Sequence, residues 1–193
     1  MKIPKPPIFR RISQEEHLLL SVRCPRGTEN AYHLVASATE VILVGTYPQW
    51  KDNLESELAF PIESTVWMTN AIFRLLVSAD QGGIGGDVLA IEEHFDGLRL
   101  RIRRSFNCDG PNELGFTLFR CLHVPGKEWA GFPSFSFSDR LLFNSGFYPA
   151  LRQLAIEMAK SHHLPEPLPG TATLRPLWMG ASPADTPSPE ADE

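Results

Sequence analysis

Apolar, β-branched and aromatic runs bounded by turn residues mark several extended segments in this chain, residues 98–103 and 134–138 alternate with the two-residue period of a strand, and two long stretches have helical spacing. In the first half, apolar and β-branched runs at residues 17–23 (HLLLSVR), 31–38 (AYHLVASA) and 41–47 (VILVGTY) read as strands. The first of them is closed by Pro25, Arg26 and Gly27. Residues 49–58 read as a short helix with Trp50, Leu54 and Leu58 on one side. A long helix is expected over 64–79, where Met68, Ile72, Leu75, Leu76 and Ala79 recur at helical spacing. Ser64 is its expected N-cap and Asp80-Gln81-Gly82-Gly83 its stop. Because Val66, Trp67, Phe73 and Val77 are apolar too, little of this helix can face water.

In the second half, strands are expected at 88–93 and 98–106, joined through Phe95-Asp96-Gly97, whose Asp-Gly pair signals a hairpin. Further strands follow at 113–124 and 132–138, the last alternating Phe135 and Phe137 with serines. A second helix is expected over 148–161, opened by Pro149 and lined by Leu151, Leu154, Ala155 and Met158. The expected fold class is therefore α+β, an antiparallel strand-rich body with two principal helices.

The order of elements repeats: about three strands and a helix in residues 12–80, then about four strands and a helix in residues 87–163. This β-β-β-(β)-α order resembles the tandem strand-rich units, each closed by a helix, of the Whirly and PC4-like single-stranded DNA-binding folds. The Lys-Gly-Lys-Ala run of Whirly proteins is not in this sequence. The resemblance implies a fold, and with it single-stranded DNA as the expected ligand.

Residues 1–163 are expected to form a single domain, and from Leu164 the composition shifts. Seven prolines between Pro165 and Pro189, with alanine, threonine and acid, predict a disordered tail over 164–193. Within it Leu177, Trp178 and Met179 form an apolar island, a candidate linear motif for a partner protein or a segment that docks on its own domain.

Hydrophobic residues make up 42% and charged residues 21% of the chain, and no apolar run approaches the roughly 18–20 residues that cross a bilayer. Met1-Lys2-Ile3-Pro4-Lys5-Pro6-Pro7 has prolines where a signal peptide would need an apolar segment. Cys24, Cys108 and Cys121 are odd in number and far apart, which argues against a disulfide framework and for a reducing, cytoplasmic setting. The formal charge of −5 is unevenly spread. Residues 164–193 hold five acids and one base, so the remainder carries 17 bases against 18 acids and has room for a local basic face.

Residues 98–104 (LRLRIRR) provide such a face. Strict alternation puts Arg99, Arg101 and Arg103 on one side of a strand, about 7 Å apart, a spacing that roughly matches phosphates along an extended nucleic-acid backbone. Arg99, Arg101, Arg103, Arg104 and Arg120 are the candidate phosphate contacts, and Phe106, Phe119 and Trp129 the candidate stacking platforms. The alternative is a solvated face on which the arginines pair with Glu92, Glu93 or Glu113.

Other constellations carry less. Gln81-Gly82-Gly83-Ile84-Gly85-Gly86-Asp87 follows a helix and precedes a strand, the reverse of a phosphate-binding loop, and reads as a connector. No Cys-x-x-Cys or His-Glu-x-x-His is present, and His162-His163 diverge, so neither metal nor cofactor is expected. Cys121 and His123 share a strand face, but free cysteine in a strand is usually a small buried hydrophobe. The sequence thus points to a non-enzymatic binder of single-stranded nucleic acid without sequence preference. The alternative is an interaction module such as an adaptor, chaperone or inhibitor. Oligomeric state stays open.

Overall fold

The computed structural model describes residues 12–24, 30–48, 53–84, 89–124, 127–130 and 134–175, with backbone only at 47–48, 53–55, 122–124 and 127–130. Its first sheet runs in chain order, β1 (His17–Arg23), β2 (Ala31–Ala36), β3 (Glu40–Pro48) and β4 (Asn53–Pro61), each strand antiparallel to the next. All six residues of β2 are buried. One face of the sheet places Leu34, Leu43, Leu58 and Phe60 in the main core, and the other gathers Val35, Ile42 and Val44 with Ala59.

β4 replaces the short helix expected at 49–58. Leu54 and Leu58, four residues apart, lie on one side of either element, so their spacing decided nothing. The deciding residues are further on: Leu58 and Phe60 are buried while Glu57 is exposed, a period of two. Pairing with β4 also completes the backbone hydrogen bonds of β3, whose residues Val41 to Thr46 are all buried.

Helix α1 (Ser64–Leu76) follows at once. Glu63, not Ser64, takes the cap position, while the Ser64 hydroxyl donates to Pro61 O at 2.7 Å and that of Thr65 to Ile62 O at 2.7 Å. The helix ends three residues earlier than expected because Val77 turns extended. A single 3-10 turn, Ala79–Gln81, then ends on Gly82 at φ 92°, where glycine supplies the left-handed conformation.

The second sheet contains β5 (Ala90–Phe95), β6 (Leu98–Ser105) and β7 (Gly115–Val124) in antiparallel order. The far edge of β7 is shared by β9 (Ser134–Ser138) along Gly115–Phe119 and by β8 (Lys127–Ala130) near Leu122 and Val124. Asp96 and Gly97 have φ of 44° and 81°, the left-handed pair that the Asp-Gly hairpin signal requires.

A helix the sequence did not announce, α2 (Asp139–Asn144), leaves β9 at Ser138, whose side chain accepts from Leu141 N at 3.1 Å. Six residues are too few to display a helical period; only the Ser-Asp cap pair marked it. Helix α3 (Phe147–Ser161) packs against α1.

Both sheets and all three helices contribute to one core, with Leu34, Phe60, Ile72, Leu100, Leu141 and Leu151 among its members. Rings carry the packing between the sheets: Tyr32 of β2 meets Phe135 edge-on at 5.6 Å, Phe135 meets Phe137 at 5.0 Å, and Phe137 meets Phe147 of α3 at 5.1 Å. The observed architecture is thus a mixed α+β fold built on two antiparallel sheets.

Residues 164–175, expected within a disordered tail, lie packed along α1 and α3. Leu168 N donates to Asn70 Oδ1 at 2.9 Å, Arg152 Nε donates to Thr171 Oγ1 at 2.8 Å, and Leu174 joins the main core. Composition did not reveal this because the anchors, Leu164 and Leu174, are spaced among prolines, one of which, Pro169, opens a 3-10 turn over Pro169–Ala172 that buries Thr171. The rest of the expected tail, including Leu177, Trp178 and Met179, lies outside the described residues.

Candidate nucleic-acid interface

Strand β6 sorts its side chains by parity. Leu100 and Ile102 are fully buried and Leu98 packs beside them, so Arg99, Arg101 and Arg103 stand on the opposite face of the sheet. Register then fixes their neighbours. Arg99 lies between His94 and Cys121, Arg101 between Glu92 and Phe119, and Arg103 between Ala90 and Thr117, with Ser134 and Ser136 of β9 completing the last two rows.

Glu92 sits at the centre of the charged rows. Its Oε2 accepts from Arg99 Nε at 2.9 Å and from Arg99 Nη2, while its Oε1 lies 3.3 Å from Arg101 Nε. That hydrogen bond, with the carboxylate charge behind it, raises the Arg99 pKa above its ordinary value. Arg103 is engaged differently. Its Cζ lies 4.9 Å from the centroid of the half-buried Phe119 ring, a cation–π contact, and its Nε donates to Ser105 Oγ at 3.2 Å. Thr117 bonds the hydroxyls of Ser105 at 3.0 Å and Ser136 at 3.1 Å, forming a polar strip beside the guanidinium.

Arg104 and Arg120 do not belong to this face. Arg104 follows Arg103 directly, so it points to the core side, where Nη1 and Nη2 reach Asp139 Oδ1 and Oδ2 at 2.5 and 2.7 Å and Cζ lies 4.6 Å over Phe116. Arg120 is exposed but shares the side of Leu118 and Leu100. Of the aromatic candidates, Phe119 is on the face. Phe106 lies beyond the end of β6 and is 74% exposed, and the Trp129 side chain is outside the described residues.

Two adjacent arginines must point to opposite sides of a strand, so the parity of Arg103 and Arg104 was readable in the sequence. The hydroxyl strip was not anticipated. Its only sequence signal was serine alternating with phenylalanine in residues 134–138.

The Cys121 thiol is pushed up by burial, against the lowering influence of Arg99, so it is not poised as a thiolate nucleophile. The side chain of His123 lies outside the described residues. Among the described residues no cluster of histidine, cysteine and carboxylate has metal-binding geometry, and no helix is long and apolar enough to cross a membrane. No protein-family model matches the chain, and no curated protein is detectably similar to it.

Proposed function

We propose that the outer face of the second sheet binds single-stranded nucleic acid without sequence preference, by a non-enzymatic mechanism in the cytoplasm. The supporting observation is the arrangement of Arg99, Arg101 and Arg103 in a row beside Phe119, with Glu92 set against the first two. Cations spaced along a strand suit phosphates, and a ring already stacked by a guanidinium offers a platform for a base. The tandem order of strands closed by helices, which resembles the Whirly and PC4-like folds, supports the same reading as an analogy of fold. Arg104 is a structural residue in this reading, and Arg120 lies outside the interface.

The test is a fluorescence anisotropy titration of a labelled single-stranded oligonucleotide, with the matching duplex as control, at low and moderate salt. Saturable binding that prefers the single strand and weakens with salt is expected. No binding at low salt contradicts the proposal.

A second reading, a protein-interaction module, draws on a different surface. Leu89, Phe106 and Leu114 are 63%, 74% and 40% exposed at the same end of the second sheet. It predicts no nucleic-acid binding at any salt, and loss of a protein partner when Phe106 is replaced by serine or when Leu177 and Trp178 are replaced by alanine.

A further inference from the structure

We infer that Glu92 is a built-in competitor for phosphate, occupying the subsite formed by Arg99 and Arg101 until a ligand backbone displaces it. This rests on the reading of the face as a nucleic-acid interface and adds a self-limiting control of its affinity. The geometry is that of a phosphate surrogate: one carboxylate offers one oxygen to Arg99 and the other to Arg101, as the two non-bridging oxygens of a phosphodiester would. Glu92 also sits where it can leave. It projects from β5, whose only strand partner among the described residues is β6, and its side chain is 29% exposed. A part-exposed ion pair at the edge of a sheet is reached by water and salt and can exchange with another anion.

The three arginines are therefore not equivalent. Arg103 meets Phe119 and Ser105 and no carboxylate among the described residues, so it is available to the first phosphate that arrives. Arg99 and Arg101 release Glu92 before they contribute. A ligand that reaches only Arg103 binds weakly, and one long enough to cover the whole row, about 13 Å of strand, gains the further contacts by displacing Glu92.

The experiment compares wild type, Glu92→Gln and Glu93→Gln by anisotropy with a labelled deoxythymidine oligomer of about 16 nucleotides across a salt series. Glu93 is exposed and opposes Leu100 on the other side of the sheet, so its substitution makes the same change in net charge without opening the subsite. Glu92→Gln is expected to tighten binding about three- to tenfold and to steepen the salt dependence by up to about 0.7 in the logarithmic slope for each phosphate newly neutralised. Glu93→Gln is expected to leave both unchanged. Thermal melts of each variant confirm the fold.

Wild-type binding that Glu92→Gln does not tighten, or that Glu93→Gln tightens equally, overturns the inference and leaves the interface standing. Absence of binding by wild type and Glu92→Gln alike overturns the interface and the inference together.

Discussion

Arg104 meets Asp139 through two parallel bonds of 2.5 and 2.7 Å on the core side of the second sheet. The pair ties β6 to the first residue of α2, and Arg104 Nη1 also donates to Gly115 O at 3.2 Å. The Asp139 side chain is only 5% exposed, so removing the guanidinium strands a buried carboxylate. Arg104→Ala is expected to cost about 3–5 kcal/mol in urea unfolding. Arg103→Ala, at an exposed position on the outer face, is expected to leave the midpoint nearly unmoved. Equal losses at Arg104 and Arg103 would contradict this division of the arginines into structural and surface groups.

Asp109 joins the two sheets. Its Oδ1 accepts from the Tyr32 hydroxyl of β2 and its Oδ2 accepts from Ser138 N at 2.9 Å, at the start of α2. Its φ of 62° is a conformation that asparagine also tolerates. Asp109→Ala is expected to cost about 1–3 kcal/mol, because the Ser138 amide loses its acceptor, and Asp109→Asn less. The comparison of the two variants by denaturant unfolding checks the order.

Residues 164–175 cross Phe73 at Gly170. A Cβ at Gly170 would stand 2.6 and 2.7 Å from Cζ and Cε2 of that ring, which is itself buried. Gly170→Ala is expected to destabilise the protein by about 1–3 kcal/mol and to speed hydrogen exchange at the Leu168 amide, which bonds Asn70. An unchanged exchange rate would show that the segment does not depend on this contact.

Burial pushes the Cys108 thiol from 9.0 up to about 11, because the charged form is disfavoured in the core. Below pH 9 the thiol is protonated in both folded and unfolded chains and has no effect. Between pH 9 and 11 the unfolded chain ionises first, so stability falls as pH rises, and the loss is complete above the folded value. Tyr148, also raised by burial, adds to the alkaline loss at higher pH. Cys108→Ala is expected to flatten the fall in urea midpoint between pH 9 and 11; a slope identical to wild type would contradict the assignment.

Much of the second sheet was legible because its period-two alternation is strict: Leu98 to Ile102 and Phe135 to Phe137 each declare a buried and an open face. The Asp96-Gly97 turn was legible because few residue pairs tolerate two successive positive φ values. β4 was not, since Leu54 and Leu58 satisfy helix and strand equally and the deciding partner, β3, is a tertiary neighbour. The outer arginines were visible as a row, but the bridge by Glu92 needed the register between β5 and β6, which no local pattern encodes. Arg104 and Arg120 were grouped with that row by charge alone, although parity assigns both to the other side.

The most direct test of the interface is oligonucleotide affinity in two charge-matched triple variants. One replaces Arg99, Arg101 and Arg103 by alanine. The other replaces Arg74, Arg120 and Arg140, exposed arginines away from the outer face. The first variant is expected to lose salt-dependent binding to single strands while the second retains it. Equal weakening in both variants, or none in the first, would contradict the proposed interface.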